Sequence, residues 1–161
     1  MNVCIVHDSQ KGNGKQMAER LGSELESRGA NVGIGHRTDI SPDAIASDPP
    51  DLLIVGTAVR KFLMSPPTKK WIALLAKELE NRCAVVPYAA IFLTHMMPDA
   101  MVGGRVGRLL DILTHVSGIR EVNSEWLSGQ VKNIPGPFID GALEKVAPFA
   151  EKLSEWAKPT S

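Results

Sequence analysis

The chain has 161 residues, of which 43% are hydrophobic and 22% are charged, and its 18 Lys and Arg balance its 18 Asp and Glu. This length and composition predict one globular domain, residues 1–161, with a core that needs no disulfide or metal staple. The formal net charge of zero gives no electrostatic reason to expect nucleic acid or a membrane surface as a partner.

The cysteines and the amino terminus exclude several other classes. Cys4 and Cys83 each begin an apolar run, and we interpret them as small buried hydrophobic residues. No C-x-x-C or H-E-x-x-H spacing predicts a metal site. The chain enters an apolar segment directly, without a basic region or signal-peptide core, and no segment has the length of a transmembrane helix. We therefore expect a cytoplasmic protein.

Apolar runs without polar alternation predict strands that are buried on both faces, as in a parallel sheet. Four such runs occur, and a more polar segment near the carboxyl terminus predicts a fifth strand. The predicted strands cover residues 3–7, 31–37, 52–57, 84–93 and 121–131.

Apolar residues at helical spacing occupy the segments between and after these strands. The first stripe ends at Gly29, the second lies between Pro67 and Asn81, and the third ends at Gly118. A fourth contains Pro148, which predicts a kink or a late helix start because an interior proline costs about 3 kcal/mol. The stripes are Met17, Leu21 and Leu25; Ile72, Leu75, Ala76 and Leu79; Val106, Leu109, Leu113 and Val116; and Ala142, Val146, Phe149 and Leu153.

This alternation predicts parallel β-α-β units with right-handed crossovers, and hence a doubly wound α/β sheet. Ligands of such sheets bind beyond the carboxyl ends of the strands, where the strand order reverses. The loops in question cover residues 8–15, 57–67 and 94–104.

The first of these loops has the composition of an anion-binding turn. Two glycines and Asn13 allow consecutive N–H groups to converge at a helix start, where the helix dipole also attracts an anion. Ser9 adds a hydroxyl group, and Lys11 and Lys15 add positive charge. The spacing fits neither a Walker P-loop nor the dinucleotide fingerprint, and an ordinary glycine-rich turn is the alternative interpretation.

The loop resembles the phosphate loop of the flavodoxin family, which has the form S/T-x-T-G-N-T with an alanine four residues later. Ser9, Gly12, Asn13 and Ala18 match this form, whereas Lys11 and Gly14 replace hydroxyl residues. Residues 51–57 resemble the family's D-x-x-x-x-G-S/T third strand, and residues 91–94 are similar to the F-x-T that ends its fourth strand. The resemblance therefore covers nearly the whole chain in the family's order.

The resemblance implies a five-stranded parallel sheet of order 2-1-3-4-5 with helices on both faces, and FMN as cofactor. It also implies an electron carrier or a flavin-dependent reductase, with a redox partner protein or a small molecule as electron acceptor and a homodimer as one possible assembly. The flavin would carry the chemistry, so we name no catalytic residue. The implied FMN contacts are Ser9, Gln10, Lys11, Gly12, Asn13, Gly14, Lys15, Thr57, Ala58, Val59, Arg60, Phe62, Thr94, His95 and Met96.

The chain departs from the family where an aromatic ring usually stacks on the flavin. Arg60 stands at the tyrosine position, so stacking falls to Phe62, to the Arg60 guanidinium or to a partner subunit. Arg60, Lys61 and His95 would place positive charge near the ring and stabilise reduced, anionic flavin, which favours a two-electron reductase.

Two alternatives share this fold. A phosphoacceptor receiver domain needs an aspartate at the end of strand three, where this chain has Gly56 and Thr57. A flavodoxin-like protein that has lost flavin and acts as an interaction module is favoured by the missing aromatic residues. The retained Gly12-Asn13 loop favours FMN binding.

Overall fold

A largely parallel sheet organises the computed structural model, which describes residues 1–60, 63–133 and 135–158, without the side chains of Arg60, Leu63 and Met64. Five long strands lie in the order β2-β1-β3-β5-β6, all parallel, and the two-residue β4 pairs antiparallel with the end of β3. The strands are β1 (Asn2–His7), β2 (Asn31–His36), β3 (Leu52–Arg60), β4 (Leu63–Met64), β5 (Val86–His95) and β6 (Ile119–Gln130). Counted without β4, this order is the predicted 2-1-3-4-5, and the α/β fold class is confirmed.

Helices connect the parallel strands and cover both faces of the sheet. They are α1 (Asn13–Glu26), α2 (Pro42–Ser47), α3 (Pro66–Arg82), α4 (Asp99–Thr114) and α5 (Val146–Trp156), with a 3₁₀ turn at Leu143–Lys145. α5 begins at Val146, which leaves Pro148 in its first turn, where the missing N–H is not needed. The predicted late start is therefore confirmed. Among the described residues, no helix has both the length and the apolar character that a membrane crossing requires.

Two features were not predicted from the sequence. The six-residue α2 is capped by Ser41, whose hydroxyl accepts from the Ala44 N–H at 3.1 Å. β3 continues past the predicted end at Thr57 to Arg60, because β4 folds back and pairs with it. This hairpin extends one wall of the region beyond the sheet.

Apolar side chains pack on both faces of the central strands. Leu53 and Val55 of β3 face a cluster that contains Ile72 and Leu75 of α3. Leu52 and Ile54 face the opposite cluster, which contains the predicted α1 stripe and the inner side of α5. The unalternating run in β3 therefore reflects burial on both faces, as predicted.

Gly56 is required by packing inside the sheet. It pairs in register with Phe92 of β5, and the Phe92 ring lies directly across it. A Cβ atom at residue 56 would lie 1.9 Å from Phe92 Cζ, far inside van der Waals contact. By contrast, a Cβ at Gly33 of β2 would meet no atom within 4 Å.

We predict that Gly56→Ala lowers the free energy of unfolding by about 3 kcal/mol, because a buried methyl group must displace the Phe92 ring. Gly33→Ala is the matched control, and we expect it to change stability by no more than about 0.5 kcal/mol. Urea denaturation of both variants measures the difference, and equal effects would contradict the packing account.

Candidate functional site

The carboxyl ends of β1, β3 and β5 open into a cleft between their loops. The empty space in the cleft, including the part open to solvent, is about 400 Å³. All its lining residues except Val131 were predicted as ligand contacts: Ser9, Gln10, Lys11, Asn13, Gly14, Ala58, Val59, Thr94, His95, Met96 and Val131. Three loops that are distant in the sequence therefore meet at one site, as the sheet order requires.

Backbone N–H groups are available at the start of α1. Gly12 precedes the helix in the left-handed conformation, with φ 93°, and its N–H donates to Ser9 Oγ at 3.0 Å. No side chain of the described residues caps the helix. The N–H groups of Asn13, Gly14 and Lys15 have no hydrogen-bond partner among the described residues, because a helix cannot pair its own first N–H groups.

Several predicted contacts do not line the cleft. Gly12 is not among the lining residues, but its left-handed backbone forms the turn before α1. Lys15 is largely exposed and lies 3.8 Å from Glu19 on the outer face of α1. Thr57 is buried, and its hydroxyl points into the protein. The predicted ring contact Phe62 lies outside the described residues, as does Lys61, and for Arg60 only the backbone is described.

A buried carboxylate connects the β1 and β3 sides of the cleft. Asp8 Oδ2 accepts hydrogen bonds from Thr57 Oγ1 and from Thr68 Oγ1, both at 2.6 Å. Asp8 Oδ1 accepts from the Ala58 N–H at 3.1 Å. The side chains of Asp8, Thr57 and Thr68 are all buried. This cluster was not predicted from the sequence, although a carboxylate directly after an apolar strand was its signal.

A second network holds the loop after β5. His95 Nδ1 lies 2.6 Å from the Met97 carbonyl oxygen, which can only accept, so Nδ1 carries a proton. His95 Nε2 lies 3.0 Å from Ser128 Oγ, and the Ser128 hydroxyl contacts Asp99. Lys145 Nζ donates to Asp99 Oδ2 at 3.2 Å. Both ring nitrogens of His95 are thus engaged inside the protein.

Burial decides the charge of His95. Desolvation lowers the pKa of His95, and Lys145 adds to this effect, whereas the Met97 carbonyl and Asp99 raise it. The net pKa is below 6.5, the ordinary histidine value. Burial of His95 therefore opposes the positive charge that was expected beside a flavin ring.

The histidine also makes stability depend on pH. Since the folded-state pKa of His95 lies below its unfolded value, the unfolded chain binds protons more readily as the pH falls through about 6.5. We predict that the melting temperature of the wild type falls between pH 7.5 and pH 5.5 and that His95→Gln reduces this slope. Burial also lowers the pKa of His7, which contributes the remaining pH dependence of the melting temperature.

His115→Gln is the control, because His115 is exposed at the end of α4. Thermal melts across this pH range compare the three proteins. A slope that His95→Gln leaves unchanged would show that His95 does not titrate as its burial requires.

Solved structures of other proteins share this architecture. No protein-family model and no curated protein sequence matches the chain, but many solved structures do. Flavodoxin 1 from Bacillus cereus is 15% identical, with a TM-score of 0.71 over 96% of this chain and 98% of that one. A flavodoxin, WrbA-like protein from Agrobacterium tumefaciens is 19% identical, with a TM-score of 0.71 over 97% of this chain and 96% of that one.

A larger protein contains a similar unit. Rubredoxin oxygen:oxidoreductase from Desulfovibrio gigas is 14% identical, with a TM-score of 0.74, and the match covers 97% of this chain but only 36% of that one. Identities this low establish architecture and leave the chemistry to the site itself. The chain has the flavodoxin-like fold, as its strand order and its structural neighbours both indicate.

Proposed function

We propose that this protein binds FMN in the cleft at the carboxyl ends of β1, β3 and β5 and acts as an electron carrier or a flavin-dependent reductase. The proposal depends mainly on the unpaired backbone N–H groups at the start of α1. There the N–H groups of Asn13, Gly14 and Lys15 lack partners among the described residues, at one end of a cleft that Asn13 and Gly14 line.

This end of the cleft fits a phosphate group. Converging N–H groups and the positive end of the helix dipole favour a dianion. Lys11 lines the same region and adds a positive charge. The left-handed Gly12 turns the chain so that the helix begins there. Ser9 Oγ accepts from the Gly12 N–H and would still donate its own proton to a phosphate oxygen.

We propose that the flavin ring occupies the other end of the cleft. Ala58 and Val59 line one side, and Thr94 and Met96 line the other. Met96 is 47% exposed, an unusual position for a flexible apolar side chain, and it would cover part of a bound ring.

The bound flavin would supply the hydride or single-electron chemistry. The residues of the chain would bind its phosphate, orient its ring and exclude water from one face. His95 holds the loop after β5 through Met97 and Ser128, and so it orients Thr94 and Met96 rather than exchanging a proton with the ring.

We predict that Asn13→Asp raises the Kd for FMN by about 100-fold, because a carboxylate in the phosphate cradle opposes a dianion. An aspartate in the first turn of a helix is favourable for folding, so weaker binding would not reflect unfolding. Quenching of FMN fluorescence during titration measures the Kd.

Asn81→Asp is the matched control, since it makes the same change of charge on an exposed residue near the end of α3. We expect its Kd for FMN to equal that of the wild type. A colourless wild-type protein that does not quench FMN fluorescence would refute the proposal and favour the interaction module. If Asn13→Asp and Asn81→Asp bound FMN with equal affinity, the phosphate would not bind at the start of α1.

A further inference from the structure

We propose, on the basis of the proposed function, that Asp8 is a positioning residue of the flavin site whose buried negative charge also lowers the reduction potential of the bound flavin. The proposal rests on the contacts that Asp8 makes and on the location of its carboxylate between two cleft-lining segments.

Asp8 joins three elements at one point. It directly follows β1, its Thr57 and Ala58 partners belong to β3, and Thr68 lies in the first turn of α3. Ser9, the next residue in the chain, and Ala58 both line the cleft. A change in the position of the carboxylate would therefore move both walls.

The Asp8 carboxylate accepts a backbone hydrogen bond from β3 where β1 no longer pairs with that strand. β1 pairs with β3 only as far as His7 and Gly56, whereas β3 continues to Arg60. The Asp8 N–H donates to the Gly56 carbonyl at 3.3 Å, and beyond this point the Ala58 N–H has no backbone acceptor on the β1 side. Asp8 Oδ1 accepts that hydrogen bond at 3.1 Å and so fixes the backbone of the cleft wall.

Among the described residues, the Asp8 carboxylate is hydrogen-bonded by uncharged donors. Its three partners are donors, which suits an ionised carboxylate. No Lys, Arg or His of the described residues forms an ion pair with it. A negative charge buried without a countercharge acts over several ångströms of protein interior. It opposes the negative charge that a flavin gains on reduction, which lowers the potential.

A purely structural role of Asp8 would affect stability and would weaken FMN binding equally in both redox states. The two roles separate in the ratio of the FMN affinities of oxidised and reduced protein, since loss of rigidity weakens both states but loss of a charge favours the reduced one. Potentiometry of the FMN-loaded protein measures this ratio directly, and FMN titration gives the affinity of the oxidised state.

The first variant is Asp8→Asn, which keeps the shape and removes the charge. We expect its potential to shift to a more positive value, with reduced FMN bound about tenfold more tightly relative to oxidised FMN than in the wild type. Asp51→Asn is the matched control. Asp51 Oδ2 also accepts a backbone N–H, from Asn2 at 2.6 Å, but it precedes β3 at the opposite end of the sheet.

The second variant, Thr68→Val, keeps the charge and removes one of its donors. A less well solvated carboxylate repels added negative charge more strongly, so we expect a shift to a more negative potential. This variant also provides the test if Asp8→Asn does not fold.

The outcomes distinguish the two proposals. If Asp8→Asn and Asp51→Asn both had the wild-type reduction potential, the role of Asp8 would be overturned while FMN binding stands. A shift of Thr68→Val to a more positive potential would overturn it as well. A wild type that binds no FMN would remove the proposed function and this inference with it. Opposite shifts in Asp8→Asn and Thr68→Val would support both.

Discussion

The constraint on which this site depends is the unequal length of neighbouring parallel strands. β3 extends two residues past Ala58, where its pairing with β5 ends, and four past Gly56, where its pairing with β1 ends. Backbone groups beyond such an end need other partners, because burying them unpaired costs about 1–3 kcal/mol each. Asp8 meets this need on one side of the cleft.

The two walls of the cleft are held by different polar networks. The β3 wall is fixed by a carboxylate that accepts from Thr57, Thr68 and Ala58. The loop after β5 is fixed by the buried His95, whose ring nitrogens contact the Met97 carbonyl and the Ser128 hydroxyl. Within the described part of the chain, the N–H groups of Asn13, Gly14 and Lys15 at the start of α1 have no partner, because a helix cannot pair its own first N–H groups.

The loops that form the site could be predicted because their position follows from topology. Strand–helix alternation predicts a parallel sheet, and the carboxyl ends of adjacent parallel strands must lie at one edge. What each side chain does there could not be predicted. The Thr57 hydroxyl donates to the buried Asp8, and burial lowers the pKa of His95. Both outcomes depend on residues distant in the sequence.

By itself, the sequence determined the α/β class, the order of the long elements and the glycine-rich turn before α1, since periodicity and turn chemistry are local properties. Only the tertiary structure decided that Gly56 must lack a side chain, because Phe92 reaches it from another strand. It likewise decided that Asp8, Thr57 and Thr68 share one buried site. Contacts across 11 to 60 positions leave no periodic trace, because distant residues meet only when the sheet assembles.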